Sequence, residues 1–146
     1  MEERSAGAVV YRTDEKGIRL YVLLLNAGRW DFPKGNVEEN ETELQTVVRE
    51  VGEETGLKKI MIVPGFRKVV EYFYRRDSRN VHKQVVYLLA EAKDHEVKIS
   101  FEHQGSGWFP YVEAVARASY DNSKKLLADA ERFLSEVRGV PRMAQN

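Results

Sequence analysis

The chain has 146 residues, of which 42% are hydrophobic and 32% are charged, and its formal net charge is zero. This size and composition are typical of one globular domain that buries a core of its own. A neutral chain has no overall field that would draw it to DNA or to a membrane surface, so we expect neither as a partner. The chain contains no cysteine, which excludes internal disulfides and thiolate zinc sites and is consistent with a reducing, cytoplasmic location.

The order of β-prone and helical segments predicts an α/β domain over residues 1–146, with residues 139–146 as a flexible tail. Neither a secretory signal nor an apolar run long enough to cross a bilayer is visible, and we expect a monomer. The predicted strands are 6–11, 18–25, 30–32, 59–63, 66–74, 81–91 and 107–109. The predicted connection between the fifth and sixth of these is 75–80, and Pro64-Gly65 is expected to interrupt the chain before it. The predicted later helices are 110–118 and 124–137, with helix caps among residues 121–123.

A further helix is predicted to begin near Thr42, because Thr42 followed by Gln45 has the pattern of a capping box. Gly56 is a natural C-cap, which ends this helix. Four apolar residues recur at helical spacing between the two ends and predict one apolar stripe. They are Leu44, Val47, Val48 and Val51.

Three glutamates of this helix, Glu50, Glu53 and Glu54, fall on a different arc from the apolar stripe. Residues three and four apart on a helix lie about 5–6 Å from one another, so these carboxylates repel unless a cation compensates them. Magnesium prefers oxygen ligands and shares its shell between carboxylates, waters and substrate phosphates. The pattern therefore favours a magnesium site, with manganese as the alternative ion. A glutamate-rich helix face is otherwise most often simply solvated.

The whole segment 35–57 argues against mere solvation, since its sequence GNVEENETELQTVVREVGEETGL resembles the Nudix box with every defining position filled. The resemblance implies the Nudix fold, a mixed β-sheet sandwiched between helices (α/β/α). It also implies an enzyme that hydrolyses a nucleoside diphosphate linked to a further group. The defining residues are Gly35, Glu41, Arg49, Glu50, Val51, Glu53, Glu54, Gly56 and Leu57.

The resemblance assigns roles to residues around the metal. Glu41, in the loop before the helix, and Arg49 are expected to form a bridge, because a planar guanidinium holds a carboxylate at two points. The Gly35 carbonyl is implied as a metal ligand, and glycine lets the loop backbone approach the metal closely. The metal shell is thus implied to include Gly35, Glu50, Glu53 and Glu54.

A carboxylate must also take the proton of the attacking water, and Nudix enzymes differ in which one does so. Glu53 and Glu50 are the candidates within the box. Glu102, in a later loop, is a further candidate, either as the base or as an additional metal ligand.

Segments outside the box resemble the asymmetrical diadenosine tetraphosphate hydrolases. This resemblance implies asymmetric hydrolysis of a dinucleoside polyphosphate, giving ATP and AMP from diadenosine tetraphosphate. A substrate with two bases and several phosphates needs aromatic faces and cations for recognition. The matching segments are 30–35, 64–66, 83–91, 102–104 and 108–109.

The same resemblance indicates which residues bind the substrate. Tyr72 is implied to stack on adenine, and Tyr120, before the last helix, is the candidate for the opposite face of the base. Lys34 and Lys83 are the candidates for binding phosphates. His103 is a candidate for a phosphate hydrogen bond or for proton transfer. A tyrosine at the edge of the core or a histidine in a polar loop is the plainer interpretation of these residues.

Three alternatives stay open. The first is another Nudix specificity, for a diphosphoinositol polyphosphate, a damaged nucleoside triphosphate or the triphosphate end of RNA. The second is a nucleotide-binding protein without catalysis, which the intact box disfavours. The third is an added partner-binding surface, for which no exposed apolar helix is evident.

Overall fold

The computed structural model describes residues 1–98 and 103–138. The strands in these residues are β1 (Glu2–Thr13), β2 (Arg19–Asn26), β3 (Arg29–Asp31), β4 (Lys34–Asn36), β5 (Ile60–Arg76), β6 (Arg79–Ala92) and β7 (Gly105–Pro110). The helices are α1 (Glu43–Thr55), α2 (Tyr111–Arg117) and α3 (Asp121–Phe133), and α3 continues into a π-helical turn, Leu134–Arg138. The predicted tail at residues 139–146 lies outside the described residues.

The strands form one mixed sheet in the order β3-β2-β1-β6-β5. The short strands β4 and β7 add to β1 and β2. β1 and β6 run parallel, whereas the other pairs are antiparallel. α1 packs on one face of the sheet, and α2 and α3 pack on the other. The expected mixed sheet between helices is confirmed. None of the described helices is both long and apolar enough to span a bilayer.

Strand β1 feeds both cores, because successive side chains of a strand point to opposite faces. Val10 packs with Val47 and Val51 of α1, while Val9 and Tyr11 pack on the side of α3. A strand that is covered on both faces is apolar in nearly every position, which explains why this segment shows no alternation of apolar and polar residues.

The predicted ends of α1 are confirmed. Thr42 Oγ1 accepts a hydrogen bond from the Gln45 backbone N–H at 3.1 Å, and Gln45 Oε1 accepts one from the Thr42 N–H at 2.9 Å. Gly56 takes a left-handed conformation with φ 75° and donates its N–H to the Gly52 carbonyl at 2.9 Å. The helix therefore places the three box glutamates by purely local interactions.

The predicted apolar stripe of α1 is only half buried. Val47 and Val51 have no exposed surface, but Leu44 and Val48 are 49% and 48% exposed. The sheet contacts a narrow line of the helix centred on Val47 and Val51, and the outer two residues lie beside this line. Helical spacing places all four residues within one broad arc, but it does not show how wide the contact is.

The two predicted strands 59–63 and 66–74 are one strand, β5. An irregularity in the pairing with β6, between Ile62 and Arg67, accommodates Pro64 and Gly65, and Gly65 has φ 92°. A bulge lets a strand take up extra residues and still return to its partner. Proline and glycine therefore mark a bulge here and not the end of a strand.

The predicted connection 75–80 is wrong. β5 and β6 continue to Arg76 and Arg79, which are register partners, and only Asp77 and Ser78 turn the chain. Both turn residues have positive φ, 52° and 64°. Such turns suit the twist of paired strands, so strand pairing extends through a segment that appears from its charge to be a loop.

Two further predictions are wrong. Gly35 is expected in a loop, but residues 34–36 form the short strand β4, in which Gly35 pairs with Ala6 of β1. The N-cap of α3 is Tyr120, and no side chain caps the helix. Ser123 does not cap the helix, because its hydroxyl donates to Asp31 Oδ1 at 2.8 Å.

We expect Gly56→Ala to lower the free energy of unfolding by about 1–2 kcal/mol, because an L-residue is strained in the left-handed region. A Cβ at this position would also lie 3.2 Å from Lys98 Cβ. Gly52→Ala is the matched control, since its added Cβ would lie 4.0 Å from the Leu57 carbonyl oxygen. This control should stabilise the helix by about 1 kcal/mol. Urea unfolding of both variants checks the prediction, and equal effects of the two substitutions would contradict it.

Candidate active site

The Arg49 guanidinium lies at the centre of the box. Its Nε and Nη2 donate to the two carboxylate oxygens of Glu41 at 2.7 and 3.0 Å. Its Nη1 donates to Glu50 at 2.9 Å and to Glu53 at 3.0 Å. Nη2 also donates to the Asn36 carbonyl at 2.9 Å. One side chain therefore binds the loop, the strand β4 and the acidic face of α1, and the expected bridge between Glu41 and Arg49 is present.

Glu41 is held by neutral donors as well. Its Oε1 accepts hydrogen bonds from the Thr46 hydroxyl at 2.7 Å and from the Glu38 backbone N–H at 3.0 Å. The hydrogen bonds from Arg49, Glu38 and Thr46 lower the pKa of Glu41 to about 2. Conversely, the hydrogen bond to Glu41 raises the pKa of Arg49. The pair is thus fully charged throughout the physiological pH range.

The Glu50 carboxylate approaches the backbone at Gly35 so closely that a side chain at this position would overlap it. Glu50 therefore lies directly against the backbone of β4, where its side chain is 12% exposed. Any larger residue at position 35 would displace this carboxylate from the site.

The three box glutamates have different surroundings. Glu50 and Glu53 share the Arg49 guanidinium, and Glu53 is 60% exposed. Glu54 is 12% exposed, and its Oε1 lies 3.5 Å from Nε2 of His103. Among residues 1–98 and 103–138, no three acidic or histidine side chains converge as a preformed metal shell. The guanidinium, which draws two of the carboxylates to itself, explains this arrangement.

A cavity of about 230 Å³ opens beside Glu54. It brings the acidic end of α1 into the same space as a lysine, a histidine and a tyrosine that are distant in sequence. Its lining residues are Leu24, Asn26, Arg29, Asp31, Phe32, Lys34, Glu54, His103 and Tyr120.

A neighbouring cavity of about 390 Å³ contains the other predicted binding residues. Tyr72 and Lys83 are register partners on β5 and β6, so they stand side by side on one face of the sheet. The two cavities share Asp31, Lys34 and Tyr120. The lining residues of the second cavity are Asp31, Lys34, Tyr72, Phe73, Tyr74, Lys83, Val85 and Tyr120.

The Lys34 ammonium is held where the cavities meet. Its Nζ lies 3.1 Å from Asp31 Oδ2. Burial by itself would lower the pKa of Lys34, but Tyr87 and Asp31 raise it above its ordinary value. Burial also raises the pKa of Tyr87, so the lysine is charged and the tyrosine is neutral at physiological pH. The junction of the cavities thus contains the ion pair of Lys34 and Asp31.

Some residues of this region were not singled out from the sequence. Asp31 belongs to the segment 30–35, but only its distance of three residues from Lys34 hints at their ion pair. The Arg29 guanidinium carbon lies 5.7 Å from the centroid of the Tyr120 ring, a contact that no sequence signal indicates. Glu102, the further candidate base or ligand, lies outside the described residues.

We expect Glu41→Gln to reduce the dependence of stability on pH. Because the folded-state pKa of Glu41, about 2, lies below its ordinary value of 4.5, its charge stabilises the fold above pH 4.5. This stabilisation is lost as the pH falls towards 2. The variant should therefore be less stable at pH 7, and its stability should converge on that of the wild-type protein at low pH.

Urea unfolding between pH 2 and pH 7 measures this difference. Glu39→Gln, which changes an exposed glutamate of the same loop, is the control and should follow the wild-type curve. A constant offset between Glu41→Gln and the wild-type protein across this range would contradict the assignment.

Comparison with known proteins shows similarity along most of the chain. The NUDIX domain family matches residues 1–130. The asymmetrical bis(5'-nucleosyl)-tetraphosphatase of Sus scrofa is 35% identical over 149 residues, which cover 94% of this chain and 99% of that protein. The protein of the same name from Rattus norvegicus is 33% identical over 146 residues, covering 92% and 97%. A crystal structure of a C. elegans Ap4A hydrolase binary complex has a TM-score of 0.80 and 29% identity, and covers 92% of this chain and 98% of that one. By this family match and these relatives, the chain belongs to the Nudix hydrolase family.

Proposed function

We propose that the protein hydrolyses dinucleoside polyphosphates and cleaves diadenosine tetraphosphate asymmetrically to ATP and AMP. One observation carries the proposal: Lys34 lines two neighbouring cavities, one that contains Glu54 (the Glu54 cavity) and one that is lined by several aromatic rings (the aromatic cavity). The similar proteins of pig and rat are named for an asymmetrical tetraphosphatase activity, which supports the same substrate.

The aromatic cavity provides the contacts for one nucleoside. Tyr72 is 36% exposed and Tyr120 is 41% exposed, so both rings have free surface within a shared cavity. Stacking of a base on an aromatic side chain contributes about 1–3 kcal/mol. The ammonium groups of Lys34 and Lys83, in the same cavity, then bind the adjoining phosphates.

Glu54 and the neighbouring glutamates of α1 suit a divalent cation, the kind of ion that Nudix hydrolases generally use. Glu50 and Glu54 are both largely buried, and the Glu50 carboxylate occupies the space that a side chain at Gly35 would fill. Magnesium prefers oxygen ligands of this kind, and manganese also binds to them. Glu50, Glu53, Glu54 and the Gly35 carbonyl would hold the ion, which supplies positive charge at the phosphate oxygens when it is bound.

The remaining chemistry belongs to the side chains. A carboxylate accepts the proton of the attacking water, and Glu53 and Glu50 are the candidates among the described residues. Glu102, which lies outside the described residues, is a further candidate for the base or for an additional metal ligand. His103 lies beside Glu54 in the Glu54 cavity, where its ring can donate a hydrogen bond to a phosphate oxygen. Arg49 orients Glu50 and Glu53 through its own hydrogen bonds.

The arrangement favours a cut away from the centre of the polyphosphate. Because the two cavities share Asp31, Lys34 and Tyr120, a base bound in the aromatic cavity lies next to the Glu54 cavity. The two ends of the site differ in chemistry, so a symmetric substrate binds it asymmetrically. The phosphate that is attacked therefore lies nearer to one nucleoside than to the other.

The test is to incubate the protein with diadenosine tetraphosphate and magnesium and to separate the products by anion-exchange chromatography. We expect ATP and AMP in equal amounts, and no turnover when a chelator is present. Reaction in ¹⁸O-labelled water then shows which product contains the attacked phosphorus. Two molecules of ADP would overturn the asymmetric cut. An absence of turnover by folded protein would overturn the substrate, and RNA 5' triphosphate ends and nucleoside triphosphates would be tested next.

We expect Glu54→Gln to lower kcat by about a hundredfold or more, because the neutral amide is a much poorer magnesium ligand. The fold should be preserved, since the amide has the size of the carboxylate. Activity and thermal unfolding are measured together. Glu113→Gln, on α2 and away from both cavities, is the control and should retain full activity. Near-normal turnover by folded Glu54→Gln protein would refute the role of Glu54 in metal binding.

A further inference from the structure

Asp31 ends β3 at the junction of the two cavities, and its two carboxylate oxygens have different partners. Oδ2 accepts a hydrogen bond from Lys34 Nζ at 3.1 Å, and Oδ1 accepts one from the Ser123 hydroxyl at 2.8 Å. The Asp31 side chain is 18% exposed, and Ser123 is 3% exposed. One largely buried carboxylate therefore connects the cavity lysine to the first turn of α3.

The bond to Ser123 bears on Tyr120 because of the way α3 begins. Tyr120 is the N-cap residue, and no side chain caps the helix. The preceding residue, Ser119, accepts a hydrogen bond from the Trp30 N–H at 2.8 Å and donates its own N–H to the Trp30 carbonyl at 3.1 Å. Hydrogen bonds to β3 therefore hold the chain on both sides of Tyr120, through Ser119 before it and Ser123 after it.

The position of the Lys34 ammonium depends on the same carboxylate. A lysine ammonium is a compact charge on a flexible stem and takes several positions unless a partner restricts it. Among residues 1–98 and 103–138, Asp31 is the acid within ion-pair distance of Lys34. A carboxylate in this place also competes with substrate phosphates for the lysine. A site that only attracts phosphate would not need a carboxylate beside its lysine, whereas a carboxylate that positions the lysine explains this arrangement.

We propose that Asp31 is a positioning residue that holds the Lys34 ammonium and the Tyr120 ring in a fixed relation, so that phosphate and base are bound together. This inference rests on the proposed function, which assigns Lys34 and Tyr120 to the substrate. Asp31 itself need not touch the substrate. Its contribution is the geometry that it imposes on β3 and α3, and such preorganisation improves binding of a substrate held at two points.

The two bonds of Asp31 can be separated by substitution. Ser123→Ala removes the attachment of α3 and leaves the ion pair with Lys34. We expect it to raise the KM for diadenosine tetraphosphate about fivefold, the effect of one hydrogen bond, with kcat within about twofold of the wild-type value. Asp31→Ala removes both bonds and should raise KM further. Asp31→Asn should restore most of the loss, because its amide oxygen can accept from Lys34 while its amide group donates to the Ser123 hydroxyl.

A double-mutant cycle distinguishes positioning from plain structural support. If the bond acts through the Tyr120 ring, Ser123→Ala should have little effect on KM in a protein that already carries Tyr120→Ala. A structural bond would lower the thermal unfolding temperature and leave the two KM effects additive. The matched controls are Ser135→Ala, an exposed serine just beyond α3, and Asp129→Asn, which pairs with Arg132 away from both cavities. Both should keep the wild-type KM.

Unchanged KM in folded Ser123→Ala protein, or a full-sized effect in the Tyr120→Ala background, would overturn the positioning role. Failure of the proposed function has a different signature, since the wild-type protein then does not cleave diadenosine tetraphosphate. Calorimetric titration of the same variants with ATP and magnesium decides the matter in that case. Equal affinity of the wild-type and Ser123→Ala proteins for ATP would overturn the inference, and weaker binding by the variant would support it.

Discussion

The acidic site depends on the Arg49 guanidinium, which holds three carboxylates close together. Glu41, Glu50 and Glu53 would repel one another without a cation between them. The planar fork of arginine presents donors in several directions, so one side chain binds all three and the Asn36 carbonyl as well. A lysine ammonium could not make this set of contacts. The loop, β4 and α1 are thereby locked into one unit.

The Arg49 guanidinium also contacts two of the carboxylates that are proposed to bind the metal. Glu50 and Glu53 are partners of Arg49 and are also proposed metal ligands, so the arginine and a divalent ion draw on the same two carboxylates. Glu54 points away from this pair, towards His103. Gly35 gives Glu50 the space to lie against the backbone. The charge of Glu50 and Glu53 is thus compensated by Arg49, whereas Glu54 lines the cavity.

The sheet arranges the residues that are proposed to bind the substrate. β5 and β6 carry Tyr72 and Lys83 as register partners, and β4 and the start of α3 bring Lys34 and Tyr120 to the same cavity. These positions lie on regular elements, whose backbones are restrained by hydrogen bonding along the sheet. Such elements fix contacts more accurately than free loops do. Asp31 is the point at which two of these elements are joined.

Predictions from sequence succeeded where the causes are local. The capping box and the C-cap glycine connect residues that are close in the chain, so spacing alone indicates them. The family resemblance implied the bridge of Glu41 to Arg49, which are also only eight residues apart. Predictions failed where a partner strand decided the outcome. The chain remains in strand β5 because β6 pairs with it on both sides of the bulge at 64–65 and up to the two-residue hairpin turn. The exposure of Leu44 and Val48 reflects the width of the contact between α1 and the sheet, which helical periodicity does not contain.

The sequence by itself determined the family resemblance, the acidic helix and the pairing within the box, because these are encoded at spacings of a few residues. Only the tertiary structure decided that Lys34, Tyr72, Lys83 and Tyr120 line shared cavities. It also decided that Asp31 lies between a lysine three residues away and a serine 92 residues away. The physical reason is that sheet pairing and helix packing bring together segments that are distant in sequence, and local patterns of polarity do not specify which segments will meet.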